Sequence, residues 1–239
     1  MSESIAEKTV GQLLVEDPSR SRIFQKYGID FCCGGKQTLA DACRQKGLDP
    51  APVVDELMRP AAANGAAAPD PAKFTLRELC DHIESVHHAW LKQELPRLSG
   101  MVRKVASVHG EAHPWTRDLA ATFEAFADDL EAHMQKEERV LFPVIRKLAA
   151  GEIAPITRML SSPIAAMEHE HEEAARALQR MRELSSGFVP PDGACNTFRA
   201  MLHGLAQLEE DMQLHVHKEN NVLFPRAAAL AASGEGSLH

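Results

Sequence analysis

The sequence contains few aromatic residues and few β-branched ones. Aromatic side chains make up 5% of the 239 residues, with one tyrosine and two tryptophans. Alanine and leucine are abundant, and these residues favour helix, whereas strands select for β-branched and aromatic side chains. The composition therefore argues against a β-rich fold and favours an all-α protein.

Long apolar runs and an excess of basic charge are also missing. No run approaches the ~18 consecutive apolar residues of a membrane span, and the first residues, MSESIAEKTV, lack the charged and then apolar profile of a signal peptide. The formal net charge is −8, from 26 basic and 34 acidic residues, whereas nucleic acids and anionic membranes select for basic surfaces. These absences predict a cytoplasmic protein with no nucleic-acid partner and no membrane partner.

One segment of the chain, residues 59–73, has almost nothing to bury. It reads RPAAANGAAAPDPAK, a composition typical of an interdomain linker. We therefore predict a small helical domain over residues 1–58, the linker over 59–73, and a larger domain over 74–239. Short helix signals precede the linker.

The larger part carries four long stripes of apolar residues. Within each stripe the spacing alternates between three and four residues, which is the mark of helices that pack nearly antiparallel. The predicted fold class is therefore all-α, with an antiparallel four-helix bundle next to a small N-terminal helical domain. The stripes run from His88 to Val105, from Leu119 through Val140 to Val144, from Leu160 to Met181, and from Phe198 to Val222.

Six positions in these stripes are polar where leucine or valine would otherwise stand. If the four stripes face one another, these side chains face the interior of the bundle, where an unpaired charge is strongly unfavourable. One or more cations would compensate all six at once. The six residues are His88, His133, Glu137, His171, His215 and Glu219.

Two of the stripes share a sequence element. It reads HMQKEERVLFP from His133 and HVHKENNVLFP from His215. Residues four apart lie on the same face of a helix. His133 with Glu137 therefore offers one nitrogen and one carboxylate to the same side, and His215 with Glu219 does the same. Each pair is predicted to hold a metal ion.

The two single histidines follow the same repeat. His171 lies 83 positions after His88, close to the 82 positions that separate the two HxxxE elements. The bundle is thus predicted to be two copies of a helix pair with two equivalent metal positions. Four histidines and two carboxylates are too many ligands for one tetrahedral zinc, and too rich in nitrogen for calcium or magnesium. Two non-haem iron ions fit this set, with manganese as the main alternative, and an open position remains for an oxo bridge, O₂ or NO.

The other polar residues near the predicted ligands are expected to have supporting roles. His87 lies one residue off its stripe, and His169 and His217 lie two residues from a predicted ligand, so all three are interpreted as surface residues or supports of a ligand. Glu170 is interpreted as an acceptor for a ligand histidine or a gate, with a solvated glutamate as the alternative. The VLFP that ends both elements is interpreted as packing that bends or ends the helix pairing, because proline has no amide donor.

The five cysteines are an odd number in a chain without an export signal, which favours reduced thiols over a disulfide framework. Cys32 and Cys33 are adjacent within DFCCGGKQTLADAC, where two glycines permit a tight turn and leave the thiols accessible. The helix start near Thr38 and the nearby Lys36 favour thiolate, which would react with NO, a metal or a partner sulfur. The alternative is a pair of small buried residues in a turn. The remaining cysteines are expected in the core: Cys43, Cys80 and Cys195.

Four segments together make the sequence resemble a known family: YGIDFCCGGKQTL, HMQKEERVLFP, MEHEHEEA and HVHKENNVLFPRA. Over nearly the whole chain it resembles the iron-sulfur cluster repair di-iron proteins, also called RIC or YtfE/ScdA proteins. The resemblance implies an ScdA-type cysteine domain joined to a hemerythrin-like bundle with two non-haem iron ions. It implies iron ligands at the six residues named above, with Glu137 and Glu219 bridging, and it selects His88 rather than His87 in VHHAW.

The resemblance also implies a function. Members of the family are cytosolic, are induced by nitrosative or oxidative stress, and help to restore damaged iron-sulfur clusters. Two mechanisms are expected as alternatives: delivery of iron from the di-iron centre to damaged clusters, or reductive binding of NO to give N₂O, which would be an NO reductase-like activity. The cysteine domain would receive NO or iron. The expected partners are iron-sulfur proteins or a cluster scaffold, with NO or O₂ as a small ligand and a homodimer as an open alternative.

Overall fold

A computed structural model of the protein describes residues 4–59, 71–152 and 157–233. Within these ranges the regular structure is helical, apart from an isolated bridge between Thr9 and Thr38, so the predicted all-α fold is confirmed. None of the helices in these ranges combines the length and the apolar character needed to cross a membrane. Most of the predicted linker, residues 60–70, lies outside the described residues, so the predicted domain boundaries stay predictions.

The small N-terminal domain has four short helices around an apolar centre. These are α1 (Val10–Glu16), α2 (Ser21–Tyr27), α3 (Leu39–Gln45) and α4 (Pro50–Leu57). Thr9 caps the start of α1 and Thr38 caps the start of α3, each by accepting a backbone amide in the first turn. Gly28 ends α2 in the left-handed conformation, with φ of 63°, which glycine adopts without strain. Local sequence signals therefore account for the limits of these helices.

The larger domain is an antiparallel four-helix bundle, and π-helical turns interrupt three of its four long helices. The first contains α5 (Leu76–His82), a π turn (Ile83–His88) and α6 (Ala89–His109); the second contains α7 (Trp115–Lys136), a π turn (Glu137–Leu141) and α8 (Phe142–Ala149); the third is α9 (Thr157–Leu184); the fourth contains α10 (Asn196–Lys218), a π turn (Glu219–Leu223) and α11 (Phe224–Ser233). Such turns are typical of functional sites in helical proteins. Each one here contains a residue predicted to bind metal.

The two VLFP motifs account for two of the π turns. In a regular α-helix, the ring of Pro143 or Pro225 would collide with the carbonyl four residues earlier, and the proline nitrogen has no hydrogen to donate to it. The wider turn avoids this conflict, because the amide of Phe142 donates to the carbonyl of Glu137 five residues back; the second motif has the same arrangement. Both helices continue through their prolines, as α8 and α11, and do not end there.

One register prediction is wrong because of these turns. Val140 was predicted in the inward stripe, but its side chain is 59% exposed, and Leu141 is buried in its place with 3% exposure. A π turn adds one residue to the helical period, so every position that follows it rotates relative to a regular α-helix. Sequence periodicity alone assumes a constant 3.6 residues per turn and cannot register that rotation.

The core of the bundle is divided into two apolar clusters by a polar layer. One cluster includes Leu91, Phe123 and Phe198, and the other includes Leu79 and Leu223. On each long helix, the polar residues predicted to bind metal lie between residues of the two clusters. Burying one leucine or phenylalanine contributes about 1.5–3 kcal/mol, so the two clusters fix the four helices on both sides of the layer. This rigid frame positions the polar side chains.

Candidate metal centre

The four histidines of the polar layer meet as two pairs. Nε2 of His88 lies 3.2 Å from Nε2 of His215, and Nε2 of His133 lies 3.1 Å from Nε2 of His171. All four side chains are buried. Each pair therefore offers two ring nitrogens to one point, although its members come from different helices.

Glu137 stands between the two pairs. Its Oε2 atom lies 3.4 Å from Nε2 of His88 and 3.4 Å from Nε2 of His133. These two histidines belong to different pairs. The same carboxylate oxygen is therefore within reach of both candidate metal positions.

Glu219, the counterpart of Glu137 in the second HxxxE element, also stands between the two pairs. Its Oε1 lies 3.0 Å from Nε2 of His215, and its Oε2 lies 3.1 Å from Nε2 of His171. Each group of two histidines and two glutamates keeps its donor atoms within 4.8 Å of one another, and both glutamates occur in both groups. The structure thus brings together all six residues that the sequence singled out, with the two carboxylates shared.

The hydrogen bonding of these carboxylates is incomplete without a cation. Both oxygens of Glu137 and Oε2 of Glu219 are buried and have no hydrogen-bond partner within the described chain. Burial raises the pKa of Glu219, but the charges on His215 and His171 outweigh it and hold that pKa well below its ordinary value. Two buried carboxylates without compensation would be strongly destabilising. Mixed imidazole and carboxylate donors of this kind suit two iron ions in a helical bundle.

Two of the four histidines in the polar layer are held by carboxylates from the next helix. Nδ1 of His88 lies 2.9 Å from Oε1 of Glu138, and Nδ1 of His133 lies 2.9 Å from Oε2 of Glu170. A lysine also contacts each of these carboxylates, Lys92 in the first case and Lys136 in the second. With Nδ1–H donating to the carboxylate, the Nε2 of each imidazole is left with its lone pair for a metal. Glu170 is therefore a support of His133 and is only partly exposed to solvent.

The other two histidines of the polar layer have unequal hydrogen-bond support. Nδ1 of His171 lies 2.9 Å from Oδ1 of Asn220. Nδ1 of His215 is buried and has no partner among the residues described. The ring of His87 stacks on His215 instead, with centroids 5.1 Å apart and planes 3° from parallel. The two histidine pairs therefore resemble each other in their Nε2 positions but differ in the hydrogen bonds at Nδ1.

His87 and His217 are both buried, a point that the stripe pattern did not decide. His87 Nδ1 lies 2.8 Å from Asp211, and its Nε2 accepts a hydrogen bond from Lys218 at 2.5 Å. Burial lowers the pKa of His87 to about 4, and burial lowers the pKa of His217 to about 4 as well. His169 is exposed, as a surface residue. Neither buried histidine reaches the convergence point, so they act as neutral packing and hydrogen-bonding groups.

The phenylalanines of the two VLFP motifs cover two of the imidazoles predicted to bind metal. Phe142 stacks on His88 with centroids 5.8 Å apart, and Phe224 stacks on His171 with centroids 6.1 Å apart and planes 2° from parallel. These rings replace water on one face of each imidazole. A cavity of about 300 Å³, lined in part by Phe126 and Leu130, reaches the centre at His133 and His171.

The cysteine expectations are only partly correct. Cys32 is buried and Cys33 is half-buried, so the prediction of two accessible thiols is wrong for Cys32. A hydrogen bond with Cys33, burial, and the charge of Asp30 raise the pKa of Cys32 well above its ordinary value. Lys36 pairs with Glu168 at 2.7 Å and does not favour a thiolate at this position. Cys43 and Cys80 are buried as expected, whereas Cys195 is exposed.

Comparison with known proteins agrees with this geometry. Residues 6–61 match a family described as a domain of unknown function (DUF542), and residues 80–227 match the hemerythrin HHE cation binding domain family. Proteins named iron-sulfur cluster repair protein YtfE are similar to the chain over most of its length. The one from Pectobacterium atrosepticum is 38% identical over 224 residues, which cover 92% of this chain and 96% of the relative. The one from Escherichia coli O157:H7 is 36% identical over 223 residues, which cover 93% and 97%.

Proposed function

The chain belongs to the hemerythrin HHE cation-binding family and to the YtfE iron-sulfur cluster repair proteins, and on that premise we propose that it repairs damaged iron-sulfur clusters in the cytoplasm by supplying iron from a two-iron centre. The observation that carries this proposal is the pair of buried, shared carboxylates with unpartnered oxygens. Glu137 and Glu219 would each touch both ions. The ligands proposed for the two ions are His88 with His215, and His133 with His171.

The sharing of carboxylates suits a centre that gives up iron. With one ion bound, Glu137 and Glu219 would both still have a cation within reach, so neither buried carboxylate would be left without compensation. With no ion bound, two buried negative charges would lose that compensation, which is far more costly. The chain is thus built to lose one ion more readily than two. Iron in this centre is cargo, and the protein supplies a dry site that holds it reversibly.

The test is transfer of labelled iron to a damaged client. The protein loaded with ⁵⁷Fe is mixed with an iron-sulfur enzyme whose cluster has been destroyed by NO, in the presence of sulfide and a reductant. We expect the enzyme to regain activity with labelled iron in its cluster. Glu137→Ala and Glu219→Ala should abolish this recovery, whereas the exposed Glu131→Ala should not. Full recovery with both glutamates replaced would contradict the proposal.

A second candidate function is binding or reduction of NO. The observation that favours it is the cavity at His133 and His171, whose apolar lining includes Phe126 and Leu130 and suits a small uncharged gas. Multiple-turnover formation of N₂O by the loaded protein under a reductant would favour this function over iron supply. The expected homodimer stays a prediction, for which light scattering is the measurement.

A further inference from the structure

A second group of potential metal donors lies in the N-terminal domain. A carboxylate oxygen of Asp30 and the Sγ atoms of Cys32 and Cys33 lie within 4.8 Å of one another. They occupy the segment between α2 and a short 3₁₀ turn at Gly34–Lys36. The His/Glu centre contains no sulfur, so this group differs from it in chemistry as well as in position.

The loop that carries these donors is held by Asp30 from within. Oδ1 of Asp30 accepts hydrogen bonds from the amides of Cys32 at 2.9 Å and Cys33 at 3.1 Å, and the Sγ of Cys32 lies 3.1 Å from the same oxygen. The carboxylate thus fixes both cysteine backbones on one side of itself. The three donor groups share one local frame, which lowers the entropy lost when they bind an ion.

The bundle holds the same loop from outside. Nδ2 of Asn221 donates to the carbonyls of Phe31 and Cys32, each at 3.2 Å. The backbone at Gly35 packs against that side chain so closely that an added Cβ would lie 2.4 Å from Oδ1 of Asn221. The loop is therefore clamped between its own aspartate and the fourth helix of the bundle.

The donors also face open space. A cavity of about 630 Å³ is lined by Asp30, Cys32 and Cys33 on one side and by bundle residues on the other, among them His171. An ion that enters this cavity can contact the cysteine loop without unfolding the protein. The same cavity adjoins a ligand histidine of the His/Glu centre.

From this geometry we propose that Asp30, Cys32 and Cys33 bind one divalent transition-metal ion. Two thiolates and one carboxylate suit iron, cobalt or zinc and disfavour magnesium and calcium, which prefer oxygen. Binding displaces two thiol protons, and the three negative donors with one M²⁺ leave a net charge of −1. The site goes beyond the proposed repair function, because it stands whether or not the His/Glu centre supplies iron.

The electrostatics of the loop agree with a cation. Two thiolates here would place three negative groups within 4.8 Å of one another, because the carboxylate of Asp30 stands beside both cysteines. The negative groups that oppose a second anion attract a cation. A bound metal ion would therefore supply what this loop needs to hold two thiolates beside a carboxylate.

The experiment is a Co²⁺ titration of the reduced, metal-free, full-length protein. Thiolate ligands give cobalt an intense charge-transfer absorption in the near ultraviolet, and the ligands of the His/Glu centre cannot produce it. We expect the final intensity of this band to correspond to one cobalt bound by thiolates per chain, beyond any cobalt that the His/Glu centre takes up. The double variant Cys32→Ser/Cys33→Ser should lose it, and Asp30→Asn should weaken cobalt binding about 10-fold, because the amide oxygen keeps the loop bonds but removes the charge. Cys195→Ser, at an exposed cysteine, is the matched control and should keep the band.

The outcomes separate this site from the repair function. Absence of the band in the wild-type protein, with cobalt or iron filling the His/Glu centre, would overturn the inference and leave the repair proposal intact. A band that survives in Cys32→Ser/Cys33→Ser would also overturn it, since other cysteines would then be the ligands. If the double variant does not fold, cobalt X-ray absorption on the wild-type protein decides instead: sulfur neighbours support the site, and nitrogen and oxygen neighbours alone refute it.

Discussion

Asn221 donates from its side-chain amide to the backbone carbonyl of Cys32 at 3.2 Å, and so joins the fourth bundle helix to the cysteine loop. Asn221 belongs to the π turn that begins at Glu219. The residue between them, Asn220, contacts His171, which is predicted to bind metal. Three consecutive residues thus reach the predicted metal centre, one of its histidines and the N-terminal domain. A displacement of this turn would therefore change the contacts at all three places.

Replacement of Asn221 by alanine should weaken the docking of the two domains. The change leaves the carbonyls of Phe31 and Cys32 without their donor, and an unsatisfied buried carbonyl costs about 1–3 kcal/mol. We expect the free energy of unfolding in urea to fall by about that amount. Gln207→Ala, at an exposed position of α10, is the control and should change it little. An unchanged stability would mean that water replaces the amide at no cost.

Gly35→Ala should destabilise the same contact from the other side. The new Cβ would lie 2.4 Å from Oδ1 of Asn221, and overpacking of this kind costs about 1–3 kcal/mol. In the double variant with Asn221→Ala the clash disappears, so the two losses should not add. Gly100→Ala is the matched control, because an added Cβ there meets nothing within 4 Å. Additive losses in the double variant would argue against a direct contact.

Replacement of either supporting carboxylate should loosen metal without abolishing the centre. Glu138→Gln and Glu170→Gln keep an acceptor for His88 and His133 but remove the charge that holds each imidazole. Loss of such partners typically lowers metal affinity about 10–100-fold, and we expect the lower end of that range. Competition with a chelator, followed by metal analysis, measures the change. The exposed Glu131→Gln should bind metal like the wild-type protein.

Partial chelation should empty one metal position before the other. Among the described residues, His215 has no hydrogen-bond partner at Nδ1, whereas His88, His133 and His171 each have one. An imidazole without such a partner is a weaker and less well-oriented ligand. We therefore expect the ion beside His215 to leave first, as measured by anomalous diffraction at the iron edge of partly depleted crystals. Equal loss from both positions would show that the missing hydrogen bond has no effect.

The π turn after Glu137 can be tested by stability alone. Leu141→Ala should lower the free energy of unfolding by about 2–5 kcal/mol, the usual cost of emptying a buried leucine site. Val140→Ala should stay within about 0.5 kcal/mol, because that side chain is mostly exposed. A regular α-helix through this segment would turn Val140 inward, as the apolar stripe predicts, and its replacement would then lower the free energy of unfolding by more than about 0.5 kcal/mol. Urea unfolding of the two variants distinguishes the two registers.

Much of the fold could be predicted because local patterns report it directly. Thr9 and Thr38 are caps in the structure, Gly28 is a helix stop, and the apolar stripes became the buried faces of the four long helices. The π turns could not be found in this way, because they change the number of residues per turn, whereas the spacing of apolar residues is interpreted with a constant period. The exposure of Val140 and the burial of His87 both occur at such turns.

By itself, the sequence determined the class of the fold and the six polar residues of the bundle interior, because a polar side chain at the period of an apolar stripe must face the same way as its neighbours. Only the tertiary structure decided which histidines pair, and it brought Glu137 and Glu219, expected from the resemblance to bridge, within reach of both pairs. It also decided that Nδ1 of His215 has no partner among the described residues and that Asn221 clamps the cysteine loop. These are distances between residues far apart in the chain, and they are set by how the helices pack against one another.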